Sequence, residues 1–405
     1  MANESITPKE YEARIQKVRS FLAEQNLGAL FVYSPAKVNQ WNQTGHVSYL
    51  SGWANHGRIV DSAVIVPVEG DPALLFSGYP FMVSEVREVS PITDIRLVGA
   101  VDPNAIALTR AGGGSRDLAG ETLQILDENG LTDKDIGIVG LQSMPVPLYE
   151  ALASGFGEKL RHVDDIVAEI RAVKTPEEVA LMRHAAQLSD LGFETMLKVS
   201  EPGMRGIEII AEMERAVRRK GADMVKYWMA SGPPPKWEDS RMDMKPHERV
   251  LEQGDLMASC SYVLYNGYWC HGQRTGTLRE PCAELEKIAA IAGKAQDAGL
   301  EIMKDGTPIS AAARTIRETG EKLGLEMMGS RIGHGIGMDY SEMPVPLTDE
   351  NDRLWQSGNT AIIHSTFSLP GSGKLFVPLG DVCQITTSAP DLLMEFQRTP
   401  FLAGV

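Results

Sequence analysis

Two stretches of the chain, LEQGDLMASCS at 251–261 and WQSGNTAIIHS at 355–365, align without a gap at a constant offset of 104 residues. A glycine-anchored turn running into an apolar strand is therefore written twice. The helical pattern before each strand is also repeated: Gly203 and Gly221 bracket one, Gly306 and Gly324 the other, with the same spacing of 18. Such a repeat predicts two related halves packed about a pseudo-twofold axis, with Cys260 and His364 at equivalent strand positions facing it.

The residues ahead of the repeat follow other rules. Thr7, Pro8 and Glu10 form an N-cap, first-turn proline and capping-box pattern, Gly28 is a stop, and Ile15, Val18 and Leu22 fall on one face, which predicts a helix over 7–28. ALFVYS reads as a strand, SAVIVPVEGDPALLF as two strands around a Gly-Asp turn, and DIGIVGL as a further buried strand. Thr175, Pro176 and Glu178 repeat the capping pattern and open a second long helix. A chain of 405 residues is long for one core. We therefore expect two domains, 1–168 as an α/β N-terminal domain and 169–405 as the duplicated one.

Composition narrows the function classes. A net charge of −15 leaves little Lys/Arg surface for phosphates, which argues against nucleic acid and anionic membranes as partners. The N-terminal MANESITPKEYEARIQ lacks the apolar core of a signal or anchor, and no apolar run is long enough to span a bilayer. Cys260, Cys270, Cys282 and Cys383 show no CxxC spacing and are too few for a disulfide framework, so reduced thiols and a cytoplasmic location are expected. Gly112-Gly113-Gly114-Ser115 has no following Lys-Ser/Thr and is read as a connection rather than a phosphate loop.

GDLMASCSYVLYNGYWCHGQRT, GHGIGMDYSEMP, GNTAIIHSTF and GDVCQIT occur in the order and spacing of the pita-bread fold of methionine aminopeptidase, prolidase, aminopeptidase P and creatinase. RAVKTPEEVALMRHAA and HVSYLSGW resemble the two-domain creatinase/prolidase branch. The resemblance implies an α/β N-terminal domain, an α+β pita-bread catalytic domain with internal pseudo-twofold duplication, and a homodimer. It also implies where the two-metal peptidases keep their two Asp, one His and two Glu: here those places hold Cys260, His271, His334, His364 and Gly380, with Asp381 adjacent. Only His334 matches. The family's substrate-side histidines fall near Asp243 and at Ser341. Creatinase, the metal-free member, has its catalytic histidine near Asp243 and its glutamates at Gln273 and Gly380, so its mechanism does not carry over whole either.

Two adjacent cations need bridging carboxylates, and a neutral imidazole with one free lone pair cannot bridge. What remains is three imidazoles, His271, His334 and His364, at three of the four places around one ion, a ligand set that suits catalytic zinc and also iron. The reading is a mononuclear enzyme with one divalent metal ion, acting on a small organic, partly apolar or ring-containing molecule. A zinc-like ion would activate water toward an amide-type C–N bond; iron would favour oxidation or elimination. The alternatives are a metal-independent, creatinase-like hydrolase using histidine acid/base chemistry, and a binding or scaffold protein. Asp381, Glu342 and Tyr340 are the catalytic candidates, Arg274, Trp269 and Asp243 the substrate-binding ones. Asp381 needs a bulge or one-residue slip to face inward. Cys260 is expected as a ligand, a nucleophile or a small buried thiol. Trp53, Trp228, Trp237 and Tyr268 are read as core or pocket wall, and the triple proline at 233–235 as a stiffened loop.

Overall fold

The computed structural model describes residues 5–35, 45–53, 61–99, 116–233, 245–370 and 377–404. They separate into two compact units, one running to Arg171 and the other from Ala172 onward.

The first unit opens with α1 (Pro8–Glu24), where the Thr7 hydroxyl accepts the Glu10 N–H and the Glu10 carboxylate pairs with buried Arg14 at 3.1 Å. Ile15, Val18 and Leu22 are its buried stripe, as their spacing predicts. The helix ends earlier than Gly28, because Asn26 takes the left-handed conformation (φ 55°). Six strands follow: β1 (Ala29–Ser34), β2 (Ser62–Pro67), β3 (Ala73–Ser77), β4 (Asp94–Val98), β5 (Ile136–Val139) and β6 (Leu160–His162). They form one mixed sheet in the order β4-β3-β2-β1-β5-β6. Every residue of β1, β2, β3 and β5 is buried, so these near-continuous apolar runs are covered on both faces. Among the covering helices are α2 (Gly45–Ser51), α3 (Met82–Val89), α4 (Leu118–Glu128), α5 (Val146–Phe156) and α6 (Asp164–Ala172). Trp53 lies in this core against Phe76, with ring centroids 5.9 Å apart.

In the second unit the repeat is reproduced at its turn residues. Its first half carries α7 (Pro176–Val199), α8 (Gly206–Arg218), β7 (Met224–Gly232), β8 (Leu256–Tyr265) and β9 (Tyr268–Thr277). Its second half carries α9 (Ala283–Ile302), α10 (Ile309–Lys322), β10 (Glu326–Met327), β11 (Arg331–Gly335), β12 (Glu342–Thr348), β13 (Thr360–Ile363), β14 (Phe367–Ser368), β15 (Asp381–Gln384), β16 (Asp391–Leu392) and β17 (Phe401–Leu402). The aligned Gly254 and Gly358 are both left-handed, at φ 95° and 92°, which is why glycine recurs there. One residue later, Asp255 accepts the Glu252 N–H at 2.8 Å and Asn359 accepts the Gln356 N–H at 2.9 Å, the same turn built from two different side chains. Gly203 N–H donates to the Leu251 carbonyl at 2.8 Å, and Gly306 N–H to that of Trp355 at 2.9 Å. The capping box at Thr175 and Glu178 is complete.

Two sheets result, β17-β9-β8-β7 and β12-β11-β13-β15-β16, with β10 and β14 pairing separately. The two sheets meet where Gln273 and Gly380 exchange backbone hydrogen bonds of 3.1 and 3.2 Å. This is the expected α+β duplicated architecture. Among the described residues no helix is long and apolar enough to cross a membrane.

One buried carboxyl on α7 has a measurable consequence. Asp190 accepts the Glu395 N–H at 2.6 Å while its other oxygen has no partner, and burial, opposed by Arg274, pushes it up to about 6. The unfolded value is about 3.9, so between these limits the folded chain holds a proton that the unfolded chain has lost. Asp190 therefore contributes less stability as pH rises from about 4 through about 6. Asp190→Asn keeps the acceptor without the charge and should stabilise the protein by about 1–3 kcal/mol near pH 8, with little effect near pH 4. Urea unfolding of both proteins at the two pH values checks this; a gap independent of pH contradicts it.

Candidate metal centre

In the β8–β9 hairpin Tyr262 stands opposite His271 and Cys260 opposite Gln273, and β7 adds Trp228 opposite Cys260. Alternation along a strand puts Trp228, Cys260, Tyr262, Trp269, His271 and Gln273 on one face. The other sheet supplies His334, paired with Ile362 across β11 and β13. His364 lies one residue beyond β13, its N–H donating to the Ile332 carbonyl at 2.8 Å. The Trp269 N–H donates to Gly337 at 2.7 Å, which ties the loop bearing Tyr340 to β9.

The three imidazoles converge. Ring centroids of His271–His364 and His334–His364 are each 5.5 Å apart, and those of His271–His334 are 6.2 Å apart. Two imidazoles sharing an ion through nitrogens about 2.0–2.1 Å from it have centroids roughly 5 Å apart, so the third pair is wider than a closed site requires. Among the described residues no group of three His, Cys, Asp or Glu side chains stands in ion-holding geometry, and we attribute this to that wide pair. The donors themselves are set. His271 Nδ1 lies 2.7 Å from the Ser261 carbonyl and His334 Nδ1 lies 2.9 Å from that of Gly335. A carbonyl accepts only from N–H, so in His271 and His334 Nδ1 carries the proton and Nε2 presents its lone pair. The Nε2 atoms of His334 and His364 are buried with no partner. Burial pushes His271 down to about 3 and His334 down to about 4, and drives His364 well below the usual imidazole range. All three are therefore neutral at neutral pH, the protonation state a metal requires.

Tyr340 joins this cluster, with ring centroids 4.8 Å from His334, 5.3 Å from His271 and 6.2 Å from Trp269. Tyr262, which sequence reasoning passed over, lies 4.9 Å from His271 and 5.4 Å from Tyr340. Its signal was legible: it follows Cys260 by two residues on the same strand. Burial raises both phenols, so each stays protonated and able to donate. Gln273, also missed, has Nε2 3.5 Å from His271 Nε2. Burial pushes the Cys260 thiol up to about 12 against a hydrogen bond from Gln273, which supports the small buried thiol over the thiolate ligand or nucleophile.

Other expected site residues are engaged elsewhere. Asp381 is fully buried, one oxygen accepting from Arg274 at 2.7 Å and the other from Arg398 at 2.9 Å. The slip that would turn it inward is absent, since β13 and β15 pair in unbroken register from Thr360↔Gln384 to Ile363↔Asp381. Arg274 is on the β9 face opposite His271 and also donates to the carbonyls of Gly380 and Phe396, so it braces the sheets rather than orienting a substrate. Glu342 accepts from Lys174 Nζ at 2.5 Å and from the Asp339 N–H at 2.9 Å, a positioning role for the Tyr340 loop. Asp243 lies outside the described residues, as do Trp237, Pro234, Pro235 and the Gly112–Ser115 stretch.

Residues 180–387 match the model of metallopeptidase family M24, and residues 14–173 match the creatinase/prolidase N-terminal domain. The chain belongs to metallopeptidase family M24. An uncharacterized peptidase of Bacillus subtilis, YqhT, is 28% identical over 232 residues, which are 56% of this chain and 63% of that one. The Xaa-Pro dipeptidase of Pyrococcus furiosus is 23% identical over 398 residues, 95% of this chain and 98% of that one. In fold, the chain is similar to an X-Pro aminopeptidase from Thermotoga maritima (TM-score 0.76, 20% identity, 96% of this chain and 100% of that one). It is likewise similar to the prolidase of Pyrococcus horikoshii (TM-score 0.75, 19% identity, 95% and 99%).

The M24 scaffold sharpens the meaning of the substitutions. A Cβ at Gly380, the place the resemblance gives to a glutamate, would meet the Gln273 side chain at 2.9 Å. Gln273 and Gly380 are thus packed as a pair, and no acidic side chain fits between them as they stand. With Cys260 a buried thiol and His271 an imidazole, these residues do not fit a carboxylate-bridged ion pair.

Proposed function

We propose that the protein is a mononuclear metal-dependent hydrolase that binds one divalent ion, zinc or iron, through Nε2 of His271, His334 and His364, and that it acts on a small organic substrate. The observation that carries this is the pair of buried Nε2 atoms without partners on His334 and His364, beside His271, whose tautomer matches that of His334. Leaving buried acceptors unsatisfied costs about 1–3 kcal/mol each, a cost that a bound ion would remove. When bound, a zinc-like ion lowers the pKa of its water and so supplies hydroxide for an amide-type C–N bond at neutral pH.

The chain's own residues do the rest. The protonated phenols of Tyr340 and Tyr262 hold and orient the substrate's polar group, and Trp269 gives it an apolar wall. Asp381 and Glu342 act from a distance, by holding the sheets and the Tyr340 loop. The missing bridging carboxylates speak against two-metal Xaa-Pro peptidase chemistry. The same reading has the protein working in the cytoplasm, in line with four free cysteines, and as a homodimer, which the creatinase-like resemblance implies.

A panel of amides, cyclic amides and Xaa-Pro dipeptides tests the assignment. Turnover of a non-peptide amide should be lost with chelator and fall at least about 100-fold in His334→Ala. Robust manganese-stimulated cleavage of an Xaa-Pro peptide would overturn it, as would turnover that survives complete metal removal.

A further inference from the structure

We propose that the substrate of this centre is a lactam, or another amide whose N–H and C=O lie on the same side, and that the carboxamide of Gln273 binds that edge; the inference deepens the hydrolase reading above and rests on it. Gln273 shares a strand face with His271, and its Nε2 lies 3.5 Å from His271 Nε2. That contact fixes which way the amide faces, because Oε1 turned toward an imidazole lone pair would set acceptor against acceptor. The residue is only 7% exposed, and its Oε1 is buried with no partner. Its stem is held as well. A Cβ on Gly380 would stand 2.9 Å from Gln273 Cγ, and the two backbones exchange hydrogen bonds.

This amide has one acceptor and one donor to spare. Of its two N–H groups, one serves the Cys260 sulfur; the other has only the His271 lone pair, too distant for a strong bond. With His271 Nε2 engaged by an ion, that N–H is left over, as Oε1 already is. A free N–H beside a free carbonyl oxygen is matched by an amide that presents C=O and N–H side by side, closing a ring of two hydrogen bonds. Lactams and primary amides do so. A trans peptide bond turns the two groups to opposite sides, and an Xaa-Pro bond has no N–H at all. The pairing holds the scissile carbonyl beside the histidines. Hydrolysis of a lactam there forms a C–O bond from water, breaks the ring C–N bond and passes the water's proton to nitrogen, giving an amino acid. Trp228, Tyr262 and His364 are partly exposed, so the open side of the cluster carries two aromatic rings suited to an apolar ring body.

The lactam 2-piperidone is the probe. Its comparators are cyclohexanone, which has CH2 in place of the N–H, and N-methylacetamide, a trans amide. Calorimetry measures all three on wild-type and Gln273→Met protein, each metal-free and zinc-loaded. Zinc-loaded wild type is expected to bind 2-piperidone at least about tenfold more tightly than either comparator. Gln273→Met, which keeps the stem without the amide, should cut the preference over cyclohexanone to about twofold or less. Equal binding of the three by wild type, a preference untouched in Gln273→Met, or no binding of 2-piperidone overturns the proposal even if zinc is held. If zinc itself does not bind, the three-histidine reading fails, and the same ratios in metal-free protein still decide for or against Gln273. Should Gln273→Met not fold, the wild-type ratios decide.

Discussion

Asp381→Ala is expected to cost about 3–5 kcal/mol of folding stability, the range for stripping one partner from a buried ion pair. Arg274 is left with its charge in a fully buried position, held only by carbonyl oxygens, and Arg398 loses its inner partner as well. Domains are stable by only about 5–15 kcal/mol, so the variant should unfold at a much lower urea concentration than wild type. Replacing both charges, as in Asp381→Leu with Arg274→Met, should recover most of the loss, because buried pairs are costly to desolvate and apolar side chains of similar volume pack without that cost. An Asp381→Ala protein with wild-type stability and abolished turnover would return Asp381 to the chemistry.

The second large effect is expected at Lys174 and Glu342. Their charged atoms meet at 2.5 Å with both side chains almost fully buried, at 1% and 6% exposure. The pair is so closely enclosed that a Cβ at Gly337 would collide with the Glu342 carboxylate and the Lys174 stem. Glu342→Ala leaves a buried ammonium and also removes the acceptor for the Asp339 N–H, next to Tyr340. A loss of about 3–5 kcal/mol is expected, with Lys174→Met/Glu342→Leu recovering most of it. Thermal unfolding of Lys174→Met, of Glu342→Leu and of the double variant measures the coupling. Additive losses would show that the two charges do not depend on each other.

Local rules made much of the fold legible in the sequence. Gly254 and Gly358 mark the duplication because the backbone turns left-handed at both, and Thr175 and Glu178 mark a helix start because their side chains satisfy its first N–H groups. The histidines were visible because one ligand place in the resemblance kept its residue and two others acquired imidazoles. Asp381 was harder to place. Which way it faces is set by strand alternation, and what it does is set by Arg274, 107 residues away, and Arg398, 17 away. Arg274 was misread for the same reason: its partner lies on another sheet. Helix α1 ending at Glu24, well ahead of Gly28, is a smaller case, in which Asn26 rather than a glycine took the left-handed conformation.

X-ray absorption at the metal edge, on protein loaded with a single equivalent of zinc, tests the central claim most directly. Three imidazole nitrogens at about 2.0–2.1 Å are expected with no sulfur in the first shell, falling to two in His364→Ala with stoichiometry or affinity lost. A sulfur scatterer at about 2.3 Å, two metal ions per chain, or less than about 0.1 equivalent retained would contradict it.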